Sequence, residues 1–309
     1  MVIRAMPQSD AAELLKQLTG ELENFEDIAR YLLPQPDDVP TLQRIDIYGG
    51  TLALNGVVGG DHLIYVDFKR RFDLEARIAH ATEAGRTEVV DNLRRCRTMA
   101  GIVLIDVSGH RITDAMVAAM LHQAFLLGAL YELDSFGQVT RRLFENLNTR
   151  FYQSSGAHKF ASLIYGEISE QSMFRFLSAG QPFPVVFSKQ HDRFMEVTKD
   201  LLVSFPPLGI LPSLDAIDRS RTNSLLGFKN HYEMNEWVLM GEGDILMLCT
   251  DGLVEHSREQ ERYFPGRLEQ KLREVVDRPA SEIFEAIKED VRSFSQPVDD
   301  ISIVVIKRV

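Results

Sequence analysis

The sequence is poor in the residues and segments on which several classes of protein depend. It has only two cysteines in 309 residues, Cys96 and Cys249, and neither belongs to a CxxC motif or to a cysteine–histidine spacing. This scarcity excludes a disulfide framework and gives no sign of a zinc site. The N-terminal residues have no apolar segment of the signal-peptide kind, and we expect charges to interrupt every apolar run before it reaches membrane-spanning length. These absences predict a protein of a reducing cytoplasm, without a membrane partner.

Positive charge is also in short supply. Lysine and arginine number 34 against 45 aspartates and glutamates, which gives a formal net charge of −11. A phosphate backbone would be repelled by this balance, so nucleic acid is not an expected partner. The chain is nevertheless 45% hydrophobic and 26% charged, which is typical of a globular protein long enough to bury a sizeable core.

Residues 1–40 are predicted to form a helical arm and a linker. Asp10 and Glu13 make a plausible capping box, and Pro34 ends the helical pattern. Between them the apolar residues recur at alternating steps of four and three, which is a heptad seam. They are Ala11, Leu15, Leu18, Leu22, Phe25, Ala29 and Leu32. Such a seam can pair with a second copy of the chain, giving a homodimer, or it can pack on its own domain.

Residues 41–309 are predicted to form one mixed domain. Strand candidates are rich in β-branched and aromatic residues and are separated by turn formers. They are IDIYGGTLAL, HLIYVDF, GIVLIDV, KFASLIYGEI, MFRFLSA, FPVVFS, RFMEV, DILMLCT and ISIVVIK. Helices are predicted for ITDAMVAAMLHQAFLLGAL, SFGQVTRRLFENL, RLEQKLREVV and SEIFEAIKEDVRSF, and a helical insert is predicted at about 68–100. Because hairpin-like runs of strands are followed by grouped helices, and strands and helices do not alternate one by one, we expect an α+β fold of antiparallel sheets covered by helices.

Acidic residues recur at the ends of the predicted strands. They are Asp61 in VVGGDH, Asp106 in LIDVSGH, Asp251 in LCTDGLVE, and Asp299 and Asp300 in PVDDISIVV. One such aspartate is ordinary turn chemistry. Several at the edges of apolar strands would be partly desolvated, which costs free energy unless a cation or another partner compensates.

An oxygen-rich set of carboxylates without paired histidines or cysteines suits Mg²⁺ or Mn²⁺. Two such ions close together would activate a water for in-line attack on a phosphoryl group. This chemistry needs no protein nucleophile, and the chain has no G-x-S-x-G elbow, P-loop or H-E-x-x-H motif.

The order of these segments resembles the stage II sporulation protein E-type serine phosphatases, which belong to the metal-dependent PPM protein phosphatases. The resemblance rests on GGD, DVSGH before an Ala/Met-rich helix, SAGQPFPVVF, PPLGI, GEGDILMLCTDGLVE and DDISIVVIK, and it extends from about Leu32 to the C-terminus. It implies a four-layer αββα sandwich of two antiparallel sheets flanked by helices. The metal ions would then lie between loops at one end of the sandwich.

The resemblance also implies roles for individual residues. Asp106 would bridge both ions and the Val107 carbonyl would complete one of them, whereas Asp251 and Asp299 would hold the second ion. Asp61 would join the cluster directly or through a water, and Asp300 is the less suitable ligand of its pair. The implied reaction is removal of phosphate from serine or threonine of a bacterial regulatory protein, commonly an anti-anti-sigma antagonist of the STAS class.

The chain departs from the family pattern in three places. Arg111 stands where glycine usually follows the histidine of DVSGH. The next acid after GGD is Asp67 and not a second aspartate three residues on, so one metal contact is absent or displaced. Gln181 replaces the histidine of an AGH segment. The principal four aspartates are retained, which favours an active enzyme.

His110 has two interpretations. It follows Asp106 closely and could act as general acid for the leaving serine oxygen, or it could cap and pack the turn. Other functions also remain open for the whole chain. It could be a catalytically weak PPM-fold binding module, and less plausibly a hydrolase of small phosphate esters.

Overall fold

The computed structural model describes residues 8–54, 59–109, 112–155, 159–197, 202–214, 223–238 and 240–309, and His110 and Arg111 therefore lie outside the described residues. Nine α-helices are found in this part of the chain. They are α1 (Gln8–Arg30), α2 (Phe68–Arg71), α3 (Leu74–Glu83), α4 (Thr87–Cys96), α5 (Ile112–Phe136), α6 (Arg141–Ser155), α7 (Asp251–Glu255), α8 (Leu268–Val275) and α9 (Ala280–Phe294).

Thirteen strands are found in the same residues. They are β1 (Ile45–Leu52), β2 (Asp61–Asp67), β3 (Met99–Val107), β4 (Ala161–Ser169), β5 (Phe174–Ala179), β6 (Val185–Ser188), β7 (Arg193–Phe194), β8 (Ser204–Phe205), β9 (Asn235–Trp237), β10 (Ile245–Cys249), β11 (Ser257–Arg258), β12 (Glu261–Arg262) and β13 (Ile301–Arg308). All nine strand candidates of the sequence coincide with one of them.

Two sheets form the centre of the fold. The first has the order β1-β13-β10-β6-β7, and every pair of neighbours is antiparallel. The second has the order β2-β3-β4-β5-β8, with β9 also paired to β5. Its strands are antiparallel except for the short parallel pair of β5 with β8. The prediction of antiparallel sheets is thus confirmed apart from this one added edge.

The buried side chains form three layers of core. Residues of both sheets, such as Leu63, Leu104 and Leu248, meet in the middle layer. Helices α3 to α6 cover the outer face of the second sheet, where Phe125 and Phe144 pack on Tyr165. Helices α8 and α9 cover the outer face of the first sheet. The order helix, sheet, sheet, helix is the predicted αββα sandwich.

The boundary between α5 and α6 differs from the prediction. The sequence pattern predicts a helix from Ser135 to Leu147, but α5 runs on to Phe136 and α6 begins only at Arg141. Gly137 separates the two helices with φ of +70°, a conformation that favours glycine. A side chain there would also collide with the Val89 carbonyl, because a Cβ would lie 2.4 Å from that oxygen. Helix α5 thus ends where the chain contacts α4. The apolar periodicity of the sequence does not show this contact.

Helix α5 also corrects the expectation about apolar runs. Thr113–Phe136 is long and apolar enough to cross a membrane by length and composition, with a mean hydropathy of 1.4. In the structure it packs on the second sheet and on α6 and buries Asp114, His122 and Glu132. One face of α5 therefore belongs to the core, whereas Met120, at 68% exposed, and Tyr131, at 64% exposed, lie on its outer face.

Gln8 already belongs to α1, so Asp10 lies inside the helix and is not its N-cap. Its seam is largely exposed to solvent: Leu15 is 66% exposed and Leu18 57% exposed. Only near its C-terminal end does the helix contact the domain, where Ala29 is buried beside Ala115 and Ala118 of α5. The seam does not pack on its own domain along most of its length.

Candidate metal centre

Two of the predicted ligands come from adjacent strands of the second sheet. Asp61 begins β2 and Asp106 lies near the end of β3, and the two residues are paired in the antiparallel register. Paired residues of antiparallel strands point to the same face, so their side chains are neighbours. Ser162, the partner of Asp106 on β4, donates a hydrogen bond of 3.1 Å to Asp106 Oδ2. The sheet register alone therefore places two carboxylates together.

The first sheet contributes to the same place through the end of β10. Thr250 follows β10 and donates from Oγ1 to Asp61 Oδ2 at 2.7 Å. Thr250 Oγ1 also accepts a hydrogen bond of 2.9 Å from the Ser302 amide of β13. Asp251 comes next and is the first residue of α7. Thr250 thus ties the two sheets together at this end and fixes where α7 and Asp251 begin.

Asp299 and Asp300 precede β13 and differ sharply. The Asp300 carboxylate is buried and accepts hydrogen bonds from the amides of Leu54, at 2.7 Å, and Gly60, at 2.8 Å. These bonds hold both ends of the β1–β2 connection. Asp299 is exposed, and one of its oxygens accepts a hydrogen bond of 2.9 Å from the Asp300 amide. The Asp300 carboxylate is thus held by backbone amides, whereas the Asp299 side chain faces solvent.

The Val107 carbonyl lies against the GGD segment. The Val107 amide donates to the Gly60 carbonyl at 3.1 Å. A Cβ at Gly60 would be 2.7 Å from the Val107 oxygen and 2.3 Å from the Gly109 oxygen. Glycine is required at position 60 because only a residue without a side chain allows these carbonyls to approach. This close packing brings the Val107 oxygen beside Asp61.

The carboxylates perturb one another. Burial, followed by the charge of Asp251, raises the pKa of Asp106 to about 7, although the Ser162 hydrogen bond opposes this shift. Burial and the charge of Asp106 raise the pKa of Asp61 well above its usual value. Burial, Glu255 and Asp299 raise that of Asp251. Like charges gathered in a partly desolvated place have these effects, and a bound cation would remove them.

The donor atoms of the centre suit a divalent metal ion. All the side chains concerned are carboxylates, which are hard oxygen donors, and the charge of Asp251 is one cause of the raised pKa of Asp106. Carboxylates that repel one another in this way are stabilised by a cation between them. In the described part of the chain, however, no three histidine, cysteine, aspartate or glutamate side chains already form a ligand cage. The residues fit Mg²⁺ or Mn²⁺ chemically, and binding would draw them closer together.

Asp67 lies away from this centre. It ends β2, six residues after Asp61, and a strand of that length spans about 20 Å. Its carboxylate accepts from the amides of Arg70 and Thr41, both at 3.3 Å, and so caps α2. Asp67 is thus a structural residue, and it does not replace the acid absent after GGD.

Two histidines form a contact that their spacing in sequence did not indicate. His62 Nε2 and His122 Nδ1 are 2.6 Å apart in the buried space between β2 and α5. Burial lowers the pKa of His62 to about 3 and that of His122 to about 4. Because adjacent strand residues point to opposite faces, His62 faces away from Asp61. The pair is neutral and belongs to the helix layer.

Sequence reasoning also missed a cation next to the DVSGH segment. Lys159 Nζ donates to the Ser108 carbonyl at 2.8 Å and forms an ion pair with Asp114, which is fully buried. Gly109, with φ of +111°, packs against the same Asp114 carboxylate. Lys159 therefore pins the turn that follows Asp106 and Val107. Nothing in its sequence surroundings marks it, since the contact depends on β4 lying beside β3.

The SAGQ and PPLGI segments meet beside β4. Gly180, with φ of +82°, packs on Pro207, and Leu208 pairs with Ala161. The Gln181 side chain donates from Nε2 to Ser162 Oγ at 2.8 Å, which links it to Asp106. The PPLGI segment therefore lies beside the strand that carries Ser162, the hydrogen-bond partner of Asp106.

Comparisons with known proteins identify the family and the fold of the chain. The model of the family described as stage II sporulation protein E (SpoIIE) matches residues 97–309. No curated protein matches the chain. The SiaA-PP2C domain of Pseudomonas aeruginosa is similar in structure, with a TM-score of 0.63 and 16% identity over 98% of this chain and 100% of that one.

Two longer proteins share the fold. The RsbU and RsbW domains of Rv1364c from Mycobacterium tuberculosis give a TM-score of 0.60 and 18% identity, over 87% of this chain and 61% of that one. The PP2C phosphatase domain of SpoIIE from Bacillus subtilis, solved with a fragment of its regulatory domain, gives 0.57 and 17%, over 85% and 63%. This chain thus spans about three fifths of each. Since the family model covers more than half of the chain, the protein belongs to the stage II sporulation protein E family and contains a PPM-type phosphatase domain.

Proposed function

We propose that the chain removes phosphate from phosphoserine or phosphothreonine of a bacterial regulatory protein of the STAS anti-anti-sigma type. The observation that carries the proposal is that Asp106, paired with Asp61 on one sheet, is close enough to Asp251 and Asp299 beside the other sheet for their charges to raise its pKa, in a chain of the stage II sporulation protein E family. The RsbU and RsbW domains named in the Mycobacterium tuberculosis relative support a partner-switching setting.

We assign Asp106 as the carboxylate that would bridge two Mn²⁺ or Mg²⁺ ions, with the Val107 carbonyl beside it. Asp251 and Asp299 would hold the second ion, and Asp61 would join directly or through a water. The ions, when bound, would supply an activated water and balance the charge of the phosphoryl group during in-line attack.

The other residues of the centre set its geometry. Ser162 and Thr250 each donate to one carboxylate, Asp106 and Asp61 respectively, and so fix which oxygen remains for a ligand. Asp300 fixes the chain on either side of the β1–β2 connection. Lys159 holds the carbonyl of Ser108. Hydrogen bonds of this kind orient ligands and are required for affinity as much as the ligands themselves.

We propose further that α1 forms a homodimer through its heptad seam. The support is the exposure of Leu15, Leu18 and Leu22 along one side of the helix. An exposed heptad seam is the surface on which parallel or antiparallel helix pairs form.

The test of the proposed activity is phosphate release from a phosphoserine STAS protein, with Mn²⁺ or with a chelator. We expect turnover that depends on the metal and falls at least about 100-fold in Asp106→Asn. Asp91→Asn, which changes an exposed aspartate of α4, is the matched control and should retain full turnover. Equal turnover of Asp106→Asn and wild type would contradict the proposal.

A second candidate is a PPM-fold binding module with little catalysis. It is favoured by one observation, the absence of a preformed three-ligand cage within the residues that the structure describes. Asp251→Asn separates the two functions. The enzyme predicts lost turnover with an intact fold, whereas the binding module predicts unchanged binding of its partner and no turnover in either protein.

A further inference from the structure

Helix α1 exposes more apolar surface than its heptad seam accounts for. Leu14 is 43% exposed and Ile28 is 65% exposed, and neither belongs to the seam. Together with Glu21 they recur at heptad spacing and flank the seam on one side, each directly before a seam position. Residues at such flanking positions contact the partner when two helices pair. Their chemistry therefore bears on the orientation in which two arms would pair.

A parallel pair of arms would bring like charges together. In parallel helices such a flanking residue faces the residue about five positions later on the partner, so Glu21 would face Glu26 of the partner subunit on both sides of the pair. In antiparallel helices the flanking residues face one another, so Leu14 would face Ile28 of the partner subunit and Glu21 would meet only its own copy. The antiparallel pair therefore buries both exposed apolar residues and has fewer repelling contacts.

The charge of α1 is concentrated in its C-terminal half. Within residues 12–19 the charges of Glu13 and Lys16 cancel, whereas residues 20–30 contain four acids and one arginine and have a net charge of −3. An antiparallel pair places this acidic half beside the half of the partner's arm that has no net charge, and beside the positive end of the partner's helix dipole. A parallel pair would place the two acidic halves side by side.

The attachment of the arm to the domain favours the same orientation. The seam residue Ala29 is buried beside Ala115 and Ala118 of α5, so it is not available to a second copy. In a parallel pair the two α5 helices would lie at the same level and hold the ends of the arms apart. In an antiparallel pair they would lie at opposite ends, and Leu18 could pack on Leu22 of the partner subunit between them.

A second exposed apolar surface lies where the partner's arm would end. Met116 and Met120 of α5 are exposed, and their chain neighbours Ala115 and Ala119 line a small cavity together with Ala29. Two arms that overlap over about eleven residues make a contact only about 16 Å long, too short to bury the roughly 1,600 Å² of a standard interface. In the antiparallel pair, the N-terminal half of the partner's arm would add the two methionines to the buried area. In a parallel pair it would point away from both domains.

We propose that two copies of the chain pair through antiparallel α1 helices, with Leu14 of each arm packed on Ile28 of the other, and that the N-terminal half of each arm covers Met116 and Met120 of its partner. The inference rests on the proposed homodimer and deepens it. The covered surface adjoins the cavity that Ala29 shares with Asp61. Each arm would therefore lie close to the metal centre of the other copy.

The first experiment determines the orientation by cross-linking the full chain. The double variant Leu14→Cys/Ile28→Cys is treated with a short bis-maleimide; the native Cys96 and Cys249 are buried and should not react. We expect at least about tenfold more cross-linked dimer than in either single variant, because copies of the same residue would be about 21 Å apart along an antiparallel pair. Leu15→Cys reports on the parallel pair, since only there do both copies of this seam residue lie at one level.

The outcomes separate the orientation from the dimer itself. Equal cross-linking of the double and single variants, or efficient cross-linking of Leu15→Cys, in a protein of dimer mass would overturn the antiparallel pair and leave the homodimer. A monomer mass for the wild type by light scattering would overturn both. None of these results depends on phosphate release, so the proposed activity is tested independently.

The second experiment tests the covered surface on α5. Met120→Glu should raise the dissociation constant of the dimer at least about tenfold in sedimentation equilibrium, because a charge would be buried under the partner's arm. Leu127→Glu changes an exposed leucine of α5 about two turns farther along the helix and is the matched control, with an unchanged dissociation constant. Thermal unfolding verifies that both variants are folded. Equal dissociation constants for wild type and Met120→Glu would overturn the covering of α5.

Discussion

Two regions of the molecule contain buried or half-buried carboxylates whose pKa values are shifted in opposite directions. On the outer helix layer, Asp290 of α9 accepts two hydrogen bonds from Arg267, at 2.9 and 2.7 Å, and this pairing lowers the pKa of Asp290. At the end of the sandwich, burial and then the charges of Asp251 and Asp299 raise the pKa of Asp106 to about 7. In the first region Arg267 balances the charge of Asp290, whereas the carboxylates of the second region repel one another and would be stabilised by a bound cation.

The difference teaches how to recognise a site that needs a metal. A carboxylate that only serves the fold is given a partner from the chain, as Asp290, Asp300 and Asp67 are. Carboxylates that raise each other's pKa lower the stability of the fold, so a cluster of them indicates a site that binds a ligand. The predictions below remove or strengthen this contrast, beginning with the largest expected effect.

The largest effect is expected when a carboxylate at the end of the sandwich is made neutral. Asp106→Asn should lower turnover at least about 100-fold, and it should leave the metal-free protein as stable as wild type or more so, because a repelled charge is lost. Mn²⁺ at about 100 times its dissociation constant should stabilise wild type by about 2.7 kcal/mol and should not stabilise the variant. Calorimetry with and without Mn²⁺ measures both. A large loss of metal-free stability in the variant would contradict the contrast.

Neutralising Asp290 in the outer helix layer should have the opposite effects on turnover and on stability. Asp290→Asn should leave turnover unchanged and lower the free energy of unfolding by about 1–2 kcal/mol, since Arg267 loses a charged partner that is partly open to solvent. Urea unfolding gives the magnitude. Glu285→Gln, which changes an exposed carboxylate paired with Lys288 on the same helix, is the control, with an expected loss below about 0.5 kcal/mol.

The pH dependence sharpens the same point. The folded-state pKa of Asp290 lies below its unfolded value, so its stabilising contribution is fully present above about pH 4. The contribution is lost as the pH falls through the lower, folded pKa. The difference in stability between wild type and Asp290→Asn should therefore be constant from about pH 7 to 5 and shrink below about pH 4. Thermal unfolding at several pH values measures it, and a difference that persisted in acid would be evidence against the ion pair.

Lys159 is the exception within the sandwich end, because it is a cation supplied by the chain. Lys159→Met should lower turnover about tenfold by releasing the Ser108 carbonyl and the turn after Val107, while Lys159→Arg should lose less. A kinetic comparison with Lys69→Met, an exposed lysine that donates to the Thr41 carbonyl, provides the control. Unchanged turnover in a folded Lys159→Met protein would remove its positioning role.

The last prediction concerns α1, whose exposed seam is apolar, whereas the other two regions are charged. Leu18→Glu together with Leu22→Glu should convert a dimer into a monomer, because both leucines lie on the seam. Light scattering gives the mass, and Thr19→Glu, off the seam, is the matched control. The same monomer mass for wild type and variant would remove the dimer.

Much of the fold could be predicted because its signals are local. The strand segments were visible in β-branched runs such as DILMLCT and ISIVVIK, and the helices α8 and α9 in their apolar spacing. The end of α5 could not be predicted in this way, because it depends on the close approach of Gly137 to the Val89 carbonyl on α4. Short strands such as β8 and β9 were missed for the same reason, because pairing with β5 is what makes them strands.

The candidate site divides along the same line. The sequence by itself determined which aspartates follow the strands, that oxygen ligands predominate, and the order of motifs that resembles a phosphatase family. Only the tertiary structure decided that Asp61 faces Asp106, that Asp300 is held by backbone amides, and that Ser162, Thr250 and Lys159 complete the surroundings. The physical reason is range: a residue type and its neighbours are fixed along the chain, whereas register, burial and charge coupling exist only between segments that folding brings together.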